Sequence, residues 1–394
     1  MQISRKPLII ALVYLSALAQ GLAVVSVPAS AGVLKAVLDD AQYGVSFVPQ
    51  MLTTIAGSLL ASRLGPRALN PGVLACALFA SGLAQVLLAL VPSGGFPCAL
   101  AATSLLGLGF GLSAAPLNAL PGRLLPERAQ SALVALHTLI AGGFAAGPAL
   151  VSAAIGAGRW VVFPLGVAAF SLALAALVLL CMPSFAGDVQ SNPAAVSSSD
   201  GTRQQAALFL GIAVCYALAE GTFANWAVVY LREERALSAA GAALALSTFW
   251  LALALGRLVV SALLARVSAV TIWRVLPVAM GLGFLALPLV RDATSSLLAF
   301  GFAGLACSAF FPLTVSLAAP SFRGGASRAS ALLTAALMVG VGLGSFVVGP
   351  LREGISLAVL YRWSCLYPLL AWALCWCVPR RSGVARQLRV VADV

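Results

Sequence analysis

Apolar residues run in twelve blocks along the chain, separated by short clusters of Arg, Pro, Gly and Asp. A helix needs about 20 apolar residues to cross a bilayer core, so each block predicts a spanning helix. The first six lie near 8 to 30, 44 to 62, 70 to 91, 97 to 119, 131 to 155 and 160 to 182. The second six lie near 206 to 231, 238 to 263, 269 to 290, 294 to 318, 329 to 351 and 356 to 378. Between the two sets runs a polar stretch from Pro183 to Gln205, rich in Ser, Asp, Asn and Gln, which predicts a mobile linker. The expected architecture is an all-α integral membrane protein. It has a six-helix bundle over 1–182, a cytoplasmic linker over 183–205, and a second six-helix bundle over 206–394 that ends in a short basic tail.

Composition agrees: 61% of residues are hydrophobic, 9% are charged, and the mean hydropathy is +1.04, beyond what a soluble globular protein carries. The net charge of +12 would suggest nucleic acid in a soluble chain, but here the charges sit between the apolar blocks and report orientation. With the N-terminus cytoplasmic, the inner side collects Arg5, Lys6, Arg63, Arg67, Arg123, Arg128, Arg203, Arg266, Arg274, Arg323, Arg328, Arg380, Arg381, Arg386 and Arg389. The outer side keeps Lys35, Arg159, Arg232, Arg235, Arg291 and Arg352, most of them near acids such as Asp39, Asp40, Glu233, Glu234, Asp292 and Glu353. This asymmetry places both termini in the cytoplasm and the protein in the inner (plasma) membrane. Arg5 and Lys6 precede an apolar run longer than a signal core, so the first helix is expected to be retained.

The eight cysteines lie almost entirely inside apolar runs, without CxxC pairs or a neighbouring His, and read as small buried hydrophobes. No metal site, cofactor or disulfide is expected. Zinc-protease, nucleophile-elbow and nucleotide-loop motifs are missing from the sequence, so an intramembrane enzyme is disfavoured.

A repeat links the halves. Ser113, Pro116, Leu117, Arg128, Gly147 and Pro148 recur in order as Ser308, Pro312, Leu313, Arg328, Gly349 and Pro350, about 200 residues later. The fourth and fifth helices therefore correspond to the tenth and eleventh.

One acid departs from the loops. Glu220 stands in the middle of the apolar run from Cys215 to Tyr230. A charge at bilayer depth costs roughly 3 kcal/mol on insertion scales, so such a residue normally faces a bundle interior or a cavity and has a task, although a purely interhelical hydrogen bond is the competing explanation.

Between the second and third helices, Gly57, Ser62, Arg63, Gly65 and Arg67 form a short basic turn. It resembles the signature loop of the major facilitator superfamily, with Ser62 standing where that pattern carries an Asp. Gly256, Arg257 and Arg266 form its second-half counterpart. The resemblance gives Ser62, Arg63, Arg67, Arg257 and Arg266 a cytoplasmic gating role, with Arg257 structural rather than substrate-binding. Gly142, Gly143, Gly147 and Pro148, with Gly340, Gly342, Gly344, Gly349 and Pro350, look like the superfamily's hinge pattern. Leu136 and His137, with Glu220, Gly221, Asn225, Trp226 and Tyr230, are similar to the fucose-permease-like branch. Sugar-transporting members couple protons through acids in the first-half bundle, and the first and fourth helices here carry no acid.

The superfamily resemblance implies that the first, fourth, seventh and tenth helices line a central path with substrate near the midplane. The candidates there are Tyr14, Ser16 and Gln20; Ser113 and Asn118; Glu220, Asn225 and Trp226; and Ser308 and Phe311, with Gln50 and His137 close by. For Gln20, an interhelical hydrogen bond competes with binding; for Trp226, packing does. His137, the sole imidazole, is a possible relay, though helix packing fits the resemblance better. At 100° per residue, Glu220 and Trp226 point in opposite senses around their helix.

The expected function is secondary active transport of a small organic solute by alternating access, coupled to protons through Glu220, in a monomer that binds a small-molecule substrate within the lipid bilayer. One acid, amides, hydroxyls and aromatic rings without a deep arginine favour a neutral polar or cationic solute. Proton-driven efflux of amphiphiles is an alternative, as is a non-transporting receptor or scaffold.

Overall fold

Pro71–Leu124 is helical over 54 residues, about 81 Å at 1.5 Å per residue, far more than the roughly 30 Å of a bilayer core. Gly95 breaks it, with φ 61° and ψ −150°, a backbone state open to glycine, so the stretch makes two crossings. The structure, a computed structural model, describes residues 6–184, 203–322 and 325–379. Eleven stretches in the described residues are long and apolar enough to span a membrane, and dividing the longest gives twelve crossings. They are α1 (Lys6–Leu34), α2 (Asp40–Leu64), α3 (71–94), α4 (96–124), α5 (Ala129–Gly156), α6 (Val162–Cys181), α7 (Arg203–Glu233), α8 (Ala239–Leu263), α9 (Ala269–Leu289), α10 (Ala293–Ser321), α11 (Gly325–Leu351) and α12 (Leu357–Cys377). Most of the expected linker, Arg5, Arg323 and the basic tail lie outside the described residues.

Packing repeats with a shift of six helices. α1 lies on α5 as α7 lies on α11, and α2 lies on the α3–α4 stretch as α8 lies on α10. α5 meets α8 and, in the same relation, α11 meets α2, joining the first six helices to the last six. Glycines set the spacing at equivalent places. A Cβ at Gly57 would meet the Leu108 carbonyl of α4 at 2.9 Å, and one at Gly256 would meet Ser308 of α10 at 2.6 Å. The expected pairing of the fourth and fifth helices with the tenth and eleventh is visible in these contacts.

Without a hydrophobic drive between helices in lipid, close approach through small residues carries association. A Cβ at Gly344 would sit 2.6 Å from the Leu218 carbonyl oxygen, whereas one at Gly142 meets nothing within 4 Å. Gly344→Ala is therefore expected to destabilise by about 1–3 kcal/mol through overpacking. Gly142→Ala should leave the melting temperature of the purified protein unchanged. Equal melting temperatures for the two variants would contradict this packing.

Candidate functional site

α7 is pinned on one face and carries Glu220 on the other. Gly221 lies against Val341 of α11, where a Cβ would be 2.6 Å from its carbonyl oxygen. At the next residue, the Thr222 hydroxyl donates to the Gly344 carbonyl at 3.0 Å. Asn225 Nδ2 donates to Ser345 Oγ at 2.6 Å, Trp226 Nε1 donates to the Ser345 carbonyl at 2.9 Å, and the Tyr43 hydroxyl donates to the Asn225 carbonyl at 2.7 Å. Tyr43 and Trp226 stack edge to face at 5.0 Å. With these faces held by α2 and α11, Glu220 is turned toward α8 and α10.

α10 supplies two carbonyls there for side-chain donors, at a break to which Pro312 contributes. Proline has no N–H to return to residue 308, and the helix stops at Cys307 and restarts at Phe310. The Tyr216 hydroxyl donates to the Cys307 carbonyl at 3.2 Å, and Arg257 Nε donates to the Ser308 carbonyl at 3.1 Å. Tyr216 and Arg257 both act electrostatically on the Glu220 carboxyl. The two side chains that satisfy the α10 break are thus the two that face Glu220.

From the other half, α5 faces α8 at two levels. His137 interacts electrostatically with Arg257, and seven residues along both helices Phe144 stacks on Trp250 at 4.9 Å. His137 Nε2 lies 3.1 Å from Asn118 Oδ1, and Asn118 Nδ2 donates to the Ala114 carbonyl at 2.7 Å. The amide oxygen must accept, so Nε2 of His137 carries the proton. Asn118, His137 and Arg257 are exposed and Glu220 partly so, although all four lie inside spanning helices. Ionisable groups exposed at that depth face an aqueous cavity rather than lipid.

The opposite side is closed. Arg352, after α11, pairs with Asp40 at 3.2 Å and with Glu233 at 2.6 Å, Lys35 pairs with Asp40 at 2.7 Å, and Arg232 donates to the Gly32 carbonyl. Beneath this latch Tyr43, Trp226, Tyr230 and Tyr361 are fully buried.

The sequence-predicted residues divide accordingly. Glu220, Asn118, His137, Ser308 and the partly exposed Phe311, which stacks on Tyr216, gather around Arg257. Arg257, expected at the gate, sits instead at the α10 break beside Glu220. The expectation of a cavity without a deep arginine is corrected, because Gly256 brings α8 close enough for that side chain to reach Ser308. Gln20 is fully buried and accepts from Ser81 of α3 at 3.1 Å, so its amide faces a neighbouring helix. Asn225 and Trp226 are held by α11, in the sense opposite to Glu220 that the helical spacing predicts. Ser113 and Ser16 bond carbonyls of their own helices. Tyr14 donates to the Ala132 carbonyl at 2.8 Å, tying α1 to α5. Gln50, partly exposed on α2, keeps a buried side-chain oxygen without a partner. Ser62, Arg63, Arg67 and Arg266 are exposed at the ends of α2 and α8, away from Glu220. Sequence reasoning missed Tyr216, Trp250 and Phe144. The signal for Tyr216 was its place four residues before Glu220, on the same helical face.

No family model and no curated protein matches the sequence. Solved structures do. The nucleoside transporter NupG superposes with a TM-score of 0.77 at 15% identity, covering 96% of this chain and 99% of that one. A bacterial homologue of the human lysosomal transporter Spinster, in an inward-facing and occupied conformation, gives 0.72 at 14%, with 95% and 97% covered. A POT family transporter in complex with a thioalcohol-conjugated peptide gives 0.72 at 13%, with 94% and 95% covered. The chain is a multi-pass membrane protein with the major facilitator fold that these share. The narrower likeness to the fucose-permease-like branch rests on the sequence motifs alone.

Proposed function

We propose that the chain is a secondary active transporter of a small organic solute, its two six-helix halves rocking around the cavity between α5, α7, α8 and α10. The observation that carries this is the pairing of a latched side with exposed ionisable groups at bilayer depth between the halves. A pore would be open on both sides, and a scaffold needs no charged cavity. We place the protein in the inner (plasma) membrane with both termini cytoplasmic, so that the described state opens inward, and take the monomer as the working unit.

Glu220 couples protons. Ionised, it shares Arg257 and accepts from Tyr216. Protonated, it donates to the Tyr216 oxygen, and Tyr216 then donates to the Cys307 carbonyl at the α10 break. Proton binding thereby changes what holds the break in α10.

A thermal-shift screen of the purified protein tests the reading. Sugars, nucleosides, amino acids, organic acids and cationic amphiphiles are added at about pH 5.5 and about pH 7.5. Ligand binding to the native state raises the melting temperature by mass action, by about 2.7 kcal/mol of stability at a hundredfold excess over Kd. One chemical class is expected to stabilise the wild type and to lose its pH dependence in Glu220→Gln. Stabilisation by many unlike amphiphiles would favour efflux, which the partly exposed Phe144, Trp250 and Phe311 could serve. No response to any class would contradict transport.

A further inference from the structure

We infer that the solute is a monovalent carboxylate on a flat apolar body, and that it binds with its carboxylate on Arg257 while a proton binds Glu220. This rests on the transporter reading and deepens it.

Arg257 has one nitrogen in use: Nε donates to the Ser308 carbonyl, and its two terminal nitrogens make no hydrogen bond described in the structure. A guanidinium fixed through Nε presents those terminal N–H groups as a planar fork, the geometry that a carboxylate matches in a bidentate way. The side chain is exposed, so the fork is accessible. Glu220 interacts with Arg257 without coming into ion-pair contact, so its carboxylate does not occupy the guanidinium fork.

Charge counting then selects the valence. Around Glu220 the facing groups are Tyr216 on its own helix, Arg257 on α8 and Cys307 on α10, with His137 on α5 beyond Arg257. One cation and one carboxylate leave the cavity neutral, and a second carboxylate would make it a net anion in a low-dielectric setting. Protonating Glu220 restores neutrality with one bound monoanion. A dianion would leave an uncompensated charge, and a cation would face Arg257.

The body of the ligand follows from the walls. Phe311 stacks on Tyr216 at 6.1 Å and 18° to one side of Arg257, and Trp250 stacks on Phe144 at 4.9 Å and 30° two turns deeper along α8. Phe311, Trp250 and Phe144 are each partly exposed. Trp250 Nε1 is buried without a partner and supplies one further donor for a polar substituent. Flat rings around a fork for one carboxylate fit an aromatic or heteroaromatic monoacid.

The test is calorimetric titration of the purified full chain with 4-hydroxybenzoate, nicotinate and indole-3-acetate, each against its neutral amide, at about pH 5.5 and about pH 7.5. At least one acid is expected to bind, its amide at least about tenfold more weakly, with affinity falling by up to about tenfold per pH unit as protons become scarce. Glu220→Gln should bind the acid with no pH dependence. Arg257→Gln should lose at least about tenfold, and Arg257→Lys should recover part of it. His137→Gln should keep the pH dependence, which separates Glu220 from the imidazole. Melting temperatures confirm that each variant is folded, and the amide comparison stands on the wild type alone. Amides binding as well as acids, or pH dependence surviving in Glu220→Gln, would overturn the inference. Tight binding of uridine or tetraphenylphosphonium, unaffected by Arg257→Gln, would overturn the substrate class and leave the transporter reading standing.

Discussion

Glu220→Gln is expected to abolish solute accumulation driven by a proton gradient, with exchange of solute across the membrane persisting at a reduced rate. The amide keeps the shape of the side chain and can still bond to Tyr216, but it can neither gain nor lose the proton. A carrier with that variant visits both sides with its solute and gains nothing from the gradient, so accumulation should fall from well above unity to about one. The proton must also find its acceptor from each side in turn, which the partly exposed position of Glu220 allows in the described state. Accumulation in the variant at the wild-type ratio would end the coupling role.

Arg352→Glu is expected to open the latched side. In the native chain Arg352 bridges Asp40 from the first half and Glu233 from the second, with Glu234 at 3.9 Å and Lys35 holding the other face of Asp40. Reversing its charge puts an acid among three acids at about 3–4 Å. At the effective dielectric of a protein surface each such change is worth on the order of 1–4 kcal/mol, and salt weakens it. A shift of that size moves a two-state equilibrium by about tenfold or more. Spin labels at Val37 and Glu353, both exposed on the latched side in opposite halves, read the change as a longer distance. The exposed native Cys76 and Cys377 are replaced by Ser beforehand. An unchanged distance distribution would show that the buried aromatic layer of Tyr43, Trp226, Tyr230 and Tyr361 holds that side closed without the ion pairs.

The helices were legible in the sequence because the bilayer imposes a length and a polarity that few other structures need. Even the division of the 54-residue helix was visible, since Gly94, Gly95 and Pro97 punctuate the apolar run. Glu220 stood out for the same reason: an acid in an apolar block has no solvent to explain it. Helical spacing also separated it correctly from Trp226. The partner of Arg257 was not legible, because the approach of α8 to α10 is set by a contact between Gly256 and Ser308 across 52 residues of chain, about which periodicity is silent. The amides Gln20 and Asn225 were placed on the right helices, but whether a polar side chain meets a cavity or a neighbour depends on its partner. Ser81 and Ser345, the partners here, carry no signal of their own in an apolar run. The latch residues were visible as acids beside bases on one side, yet their convergence on Arg352 needed the fold.

Proton-coupled transport through Glu220 is tested by uptake into proteoliposomes of the solute that most stabilises the purified protein, corrected against protein-free liposomes. It is run with and without an inward proton gradient, in the wild type and in Glu220→Gln. The wild type is expected to concentrate the solute only when the gradient is present, and the variant to equilibrate it without concentrating it. Concentration by both proteins, or by neither, would contradict coupling through Glu220.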